Sequence, residues 1–145
     1  TELTGTLFDN CNIKDVFFPL PAFHDNKIIG KISESGFGTQ REKIEKLNSD
    51  FSEAKISFID FIRCDLSSTI LPNDPNVICI HNIRERIRSA QEKIKGITDF
   101  TKKRAISIYI EDWNDEKYVD YILNLNDYKK IWDDYFDDIL NCLGI

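Results

Sequence analysis

Hydrophobic and polar positions follow one rhythm in the first half of the chain and another in the second. From Glu2 to Phe8 the residues Leu3, Gly5 and Leu7 alternate weakly with polar ones. Asp9-Asn10-Cys11-Asn12 then reads as a turn before the apolar run Val16-Phe17-Phe18, so two short strands are expected. Pro19 and Pro21 end the second one, because proline cannot donate to a central ladder. Ile28, Ile29 and Ile32 predict a further strand over 27–33, broken by Gly36 and Gly38. Thr39-Gln40-Arg41-Glu42 has the spacing of a capping box, and a helix is expected after it with Ile44, Leu47 and Phe51 on one face. Residues 55–61 read as the strongest internal strand, apolar on both faces near its end and therefore central. Ser67 to Asn76, with Pro72 and Pro75, is a loop that feeds the apolar run Val77-Ile78-Cys79-Ile80.

Beyond this point the spacing becomes helical. Ile83, Ile87, Ala90, Ile94 and Ile97 recur at steps of three and four, which predicts a helix from Asn82 to Gly96 with Arg and Lys on its other faces. Ile106, Ile108 and Ile110 alternate with Ser107 and Tyr109. A strand is expected there, pairing as a hairpin with a second strand over 118–125. Tyr128, Ile131, Trp132, Tyr135, Phe136, Ile139, Leu140 and Leu143 form one stripe of a last helix over 127–143. No internal repeat, low-complexity tract or domain boundary is read. The expected fold class is α+β, a mainly antiparallel sheet with about three helices in a single domain over residues 1–145.

Composition narrows the class. A chain of 145 residues with 41% hydrophobic positions and ten Phe supports one packed core without staples. Cys11, Cys64, Cys79 and Cys142 lie far apart with no CxxC and no His at ligand spacing, so they read as buried, reduced thiols of the cytoplasm rather than a zinc or redox site, the alternative being two disulfides in an oxidising compartment. No basic-plus-apolar signal segment opens the sequence, and no apolar run approaches the roughly 20 residues of a membrane span.

Charge changes the picture more than composition does. Between Asn82 and Arg104 there are eight Lys or Arg against three acids, a balance of +5; from Ala105 onward there are three Lys against ten acids, a balance of −7. Such a division can steer a charged partner, or the two segments can neutralise one another within the fold. The acids come interleaved with aromatics in Glu111, Asp112, Trp113, Asp115, Glu116 and Asp120, and four more, Asp133, Asp134, Asp137 and Asp138, fall on the polar side of the last helix. Carboxylates beside a Trp anchor are what a surface for a basic protein requires. These ten residues are the candidate partner-binding set.

Catalytic signatures do not accumulate. Ser33-Glu34-Ser35-Gly36-Phe37-Gly38-Thr39 resembles a phosphate loop, but it lacks the Lys-Ser or Lys-Thr ending and the third glycine of a dinucleotide fingerprint. His24 and His81 are distant in sequence, and neither belongs to a nucleophile or metal motif. No catalytic residue, cofactor or metal ligand is expected. Nucleic acid is not an expected partner either: the basic helix carries no interleaved aromatics, and the net charge is −6.

An acidic domain of this size whose C-terminal third is rich in aromatics and aspartate resembles the bacterial immunity proteins paired with colicin-like and contact-dependent inhibition toxins. The likeness lies in general character and transfers no residue. It implies a non-enzymatic cytoplasmic inhibitor, without cofactor or membrane attachment, that binds a basic toxin domain, most naturally a nuclease, through its acidic face. The alternatives are a regulatory protein-binding domain and a small enzyme whose site carries no motif.

Overall fold

Leu3, Phe8, Ile13, Phe18, Phe23 and Ile28 fall at every fifth position and all belong to the core or pack against it. Ile32 and Phe37 continue the series after a step of four, and Phe51, Ile56, Phe61, Leu66 and Leu71 repeat it further on. The repeat of five that the sequence reading missed is the organising feature of the first half. In the computed structural model, which describes residues 2–145, these positions lie on successive sides of a coil. Leu3 pairs with Phe23 and Phe8 with Ile28, so about twenty residues, four sides of five, bring the chain back over itself.

Three such coils stack as a β-solenoid. Strands β1 (Leu3–Thr4), β2 (Leu7–Lys14) and β3 (Phe17–Pro19) belong to the first, β4 (Phe23–His24), β5 (Lys27–Gly38) and β6 (Glu45–Lys46) to the second, and β7 (Ala54–Ile62) and β8 (Cys64–Asp65) to the third. All of their ladders are parallel. The expected α+β domain with a mainly antiparallel sheet is therefore overturned. The physical reason is that each strand pairs with the one a full coil away rather than with its neighbour across a tight turn. Identical core positions then stack in columns. Ile13, Ile32 and Ile56 form one. Phe18, Phe37 and Phe61 form another, with ring centroids 5.0 and 5.9 Å apart and planes within 15°.

The corners explain several residues that are awkward elsewhere. Asp15, Glu34 and Phe58 stack at one corner, all in the left-handed region with φ of 56°, 49° and 51°. Gly30, at φ 124°, lies so close to the first coil that a Cβ there would strike the Cys11 carbonyl. The partner of Gly38 lies 24 residues ahead at Ile62, whereas that of Glu45 lies only 19 ahead at Cys64, so five extra residues are extruded between them. They hold the capping-box motif. Its Thr39 hydroxyl accepts from the Arg41 amide, but no helix follows. Leu47 and Phe51, expected on one helical face, are core positions on adjacent sides of the coil, and Ile44 is exposed.

The third coil is closed by the rest of the chain. Strand β9 (Val77–Ile80) pairs antiparallel with β10 (Tyr121–Asn124), and β10 packs against β7. The Tyr121 hydroxyl donates to Asp60 and the Asn124 amide to the Ile56 carbonyl. Helix α1 (Ile83–Lys95) forms as the periodicity predicts. Helix α2 (Phe100–Glu111) replaces the expected strand over 105–110. The Asp99 side chain caps it by accepting from the Lys102 amide, and Ile106 and Ile110, one turn apart, are its buried residues. The expected hairpin with 118–125 is thereby excluded. The last helix is interrupted: α3 (Leu125–Trp132) stops where Asp133 takes a positive φ of 44°, a 3-10 turn covers Asp133–Tyr135, and α4 (Phe136–Leu143) follows.

Candidate protein-binding face

The ten residues expected to bind a partner separate into distinct environments. Trp113 is 8% exposed and packs against Tyr121, Tyr128 and Trp132 with centroids 5.6 to 5.7 Å away. It is a core residue of the cap, so no surface anchor exists at this position. Asp120 is buried at 6% exposure. Its carboxylate accepts from the Leu66 amide at 2.9 Å and the Asn82 amide at 3.1 Å and meets His81 Nδ1 at 3.2 Å. It joins the third coil to the start of α1 and is occupied by that role.

Three more acids are committed to nearby cations. Glu116 meets Arg84 at 2.9 Å, Asp138 meets Lys102 at 2.7 Å, and Asp115 meets Lys117 at 3.5 Å. The Lys117 amide, donating to Asp115, holds that carboxyl below the usual range. The pairs Arg84–Glu116 and Lys102–Asp138 show the basic segment neutralising part of the acidic one inside the fold. Both are surface pairs, screened by solvent, and add little to stability.

Five carboxylates remain. Glu111, Asp112, Asp133, Asp134 and Asp137 are exposed, and among the described residues none has an ion-pair partner. Glu111 accepts only from Asn114. Glu111 and Asp112 end α2, while Asp133, Asp134 and Asp137 lie on the 3-10 turn and the first turn of α4, and α2 packs against both of those elements. The helix break at Asp133 places these aspartates on a short turn instead of spreading them along one straight helix. Acids at the N-terminus of α4 also sit favourably against its dipole, whereas Glu111 and Asp112 sit unfavourably at the C-terminus of α2.

One cluster brings together residue types used in nucleophilic catalysis. Cys79 Sγ lies 3.9 Å from His81 Nδ1, and the Asp120 carboxylate lies 3.2 Å from the same nitrogen. A relay needs the acid on one ring nitrogen and the nucleophile on the other; here both compete for one. Burial also pushes the Cys79 thiol up to about 12, which keeps it protonated at neutral pH. His24 is held on the solenoid by Thr4 and Asp25 and shares no partner with His81. All four cysteines are free. Among the described residues, no three His, Cys, Asp or Glu side chains gather into a metal site, and no helix is long and apolar enough to cross a membrane.

The sequence reading missed the exposed apolar face of α2. Phe100 is 75% exposed, the highest value among the large hydrophobic residues, and Ile108 is 55% exposed. The signal was present in the Asp99 cap and the four-residue spacing of Ile106 and Ile110, which place Ile108 outward once the segment is helical. Comparison of the chain with protein-family models, with curated proteins and with solved structures returns no match to any of them.

Proposed function

We propose that this protein is a binding module that engages a basic protein partner through the acidic face of its helical cap, and that the partner is a toxin domain, a nuclease, which it neutralises in the cytoplasm. The observation that carries this reading is the set of five exposed carboxylates, Glu111, Asp112, Asp133, Asp134 and Asp137, left without cations while neighbouring acids are paired. Unpaired acids on adjacent elements repel one another, and a cationic partner relieves that repulsion while gaining a steered approach. A nuclease cleft is basic because it holds phosphates, so its field matches this surface.

The direct test is inhibition of cleavage. A basic nuclease encoded beside this chain is assayed on its nucleic-acid substrate with increasing amounts of the wild-type protein and of the triple variant Asp133→Lys, Asp134→Lys, Asp137→Lys. The proposal expects stoichiometric inhibition by the wild type and a loss of at least about a hundredfold in affinity for the triple variant, roughly 1 kcal/mol per reversed charge. Equal inhibition by both proteins, or none by either, rejects it.

A further inference from the structure

We infer that two copies of this chain pair through α2, antiparallel about a two-fold axis at Ile108. The outer stripe of the helix is Phe100, Arg104, Ile108 and Asp112, spaced four residues apart and exposed throughout. Other large hydrophobic residues, such as Leu7 and Ile70 on the solenoid, are also exposed, and what sets Ile108 apart is the pair of opposite charges that flanks it on the same stripe.

The charges on α2 identify the occupant. Lys102, Lys103 and Arg104 lie in its N-terminal half, and Glu111 and Asp112 at its C-terminal end, opposite to what the helix dipole favours. Two of the three cations are already employed: Lys102 meets Asp138, and Lys103 Nζ donates to the Lys95 carbonyl at the end of α1. Among the described residues Arg104 has no partner, and neither does the Asp112 side chain. Arg104 and Asp112 flank Ile108 by four residues on either side, about 6 Å along the axis. A two-fold axis at Ile108 sets it against its own copy and brings each Arg104 opposite the partner copy's Asp112. In the same register Ala105 faces Glu111, so no like charges meet, and the two misaligned dipoles run antiparallel and offset each other. One helix pair buries less than the roughly 1,200 Å² of a standard interface, so the dimer is weak and sensitive to salt.

The inference does not rest on the proposed function, although both use Asp112, so a basic partner and a second copy compete for that carboxylate; it is tested without any other protein. Sedimentation equilibrium is measured over about 10 µM to 1 mM at low and high salt, on the wild type, on Arg104→Asp, on Asp112→Arg and on the double swap. All of these positions are exposed, and circular dichroism checks that each variant is folded. The expected result is a monomer–dimer equilibrium in the wild type, weakened at least tenfold by high salt and by either single reversal, and restored in the double swap. A monomer at every concentration, or a dimer indifferent to all three variants, overturns the inference.

Discussion

The solenoid and the helical cap distribute their surface charge differently. On the solenoid, acids and bases meet across neighbouring coils: Lys14 reaches Glu34, and Lys27 reaches both Asp50 and Glu53. Parallel stacking makes this easy, because each outward position lies about 5 Å from its counterpart in the next coil. On the cap, Glu111, Asp112, Asp133, Asp134 and Asp137 stand without cations. Among the described residues the solenoid also carries unpaired acids, such as Asp9, Asp15 and Glu42, but they are scattered, whereas the cap gathers five on the end of α2 and the turn into α4. On the proposed function the solenoid is the scaffold and the cap the working face.

The most severe way to break this comparison is to damage the scaffold's central column. Phe37 is fully buried between the rings of Phe18 and Phe61, and Phe37→Ala is expected to cost about 3–5 kcal/mol. Urea unfolding followed by circular dichroism reads this loss, and a cost under about 1 kcal/mol would remove the column from its supporting role.

A smaller effect is expected at the joint. Asp120→Ala leaves the Leu66 and Asn82 amides without their acceptor, a cost of about 1–3 kcal/mol. Hydrogen exchange should quicken at those two amides more than inside the Phe column. Equal acceleration everywhere would show that the two regions open as one unit.

The thiols sharpen the comparison through pH. Burial pushes Cys64, in the solenoid, and Cys79, in the cap, up to about 12 from an ordinary 9.0. Between those values the folded chain keeps protons that the unfolded chain releases, so stability is full below about 9 and falls as pH rises toward 12. Denaturation midpoints at pH 8 and pH 10.5 should differ in that direction, and Cys64→Ala should flatten the dependence relative to the wild type.

The smallest effect belongs to a corner. Glu34 holds φ of 49°, a region asparagine tolerates better. Glu34→Asn is expected to raise stability by about 0.5 kcal/mol, net of the surface pair with Lys14. A fall in melting temperature would show that the pair outweighs the strain.

Elements whose spacing matches a single secondary-structure period were legible in the sequence: the run at Val77–Ile80, the helix at Ile83–Lys95 and the strand at Ala54–Ile62, although among the described residues that strand pairs with β5 alone and β5, not β7, is the central one. The solenoid was not, because a repeat of five resembles neither a strand's period of two nor a helix's 3.6. Leu47 and Phe51 are four residues apart because they occupy successive sides of a coil, and that distance imitates a helical step. The alternation of Ile106, Ile108 and Ile110 likewise imitates a strand, although the helix buries the outer two and exposes the middle one. At the candidate site, the acidic character of the C-terminal third was plain from counting. Which acids stay unpaired was not, since Arg84 meets Glu116 from 32 residues away and Asp120 turns inward to amides of two separate elements.

The most direct test of the cap as the working face is capture from the source cell on immobilised wild-type protein and, side by side, on the triple variant Asp133→Lys, Asp134→Lys, Asp137→Lys, each eluted by rising salt. The predicted result is one basic protein, with nuclease activity, held by the wild type, released by salt and absent from the variant. The same proteins held equally by both, or a partner that stays bound to the variant and leaves only when the solenoid is disrupted by Phe37→Ala, would contradict it.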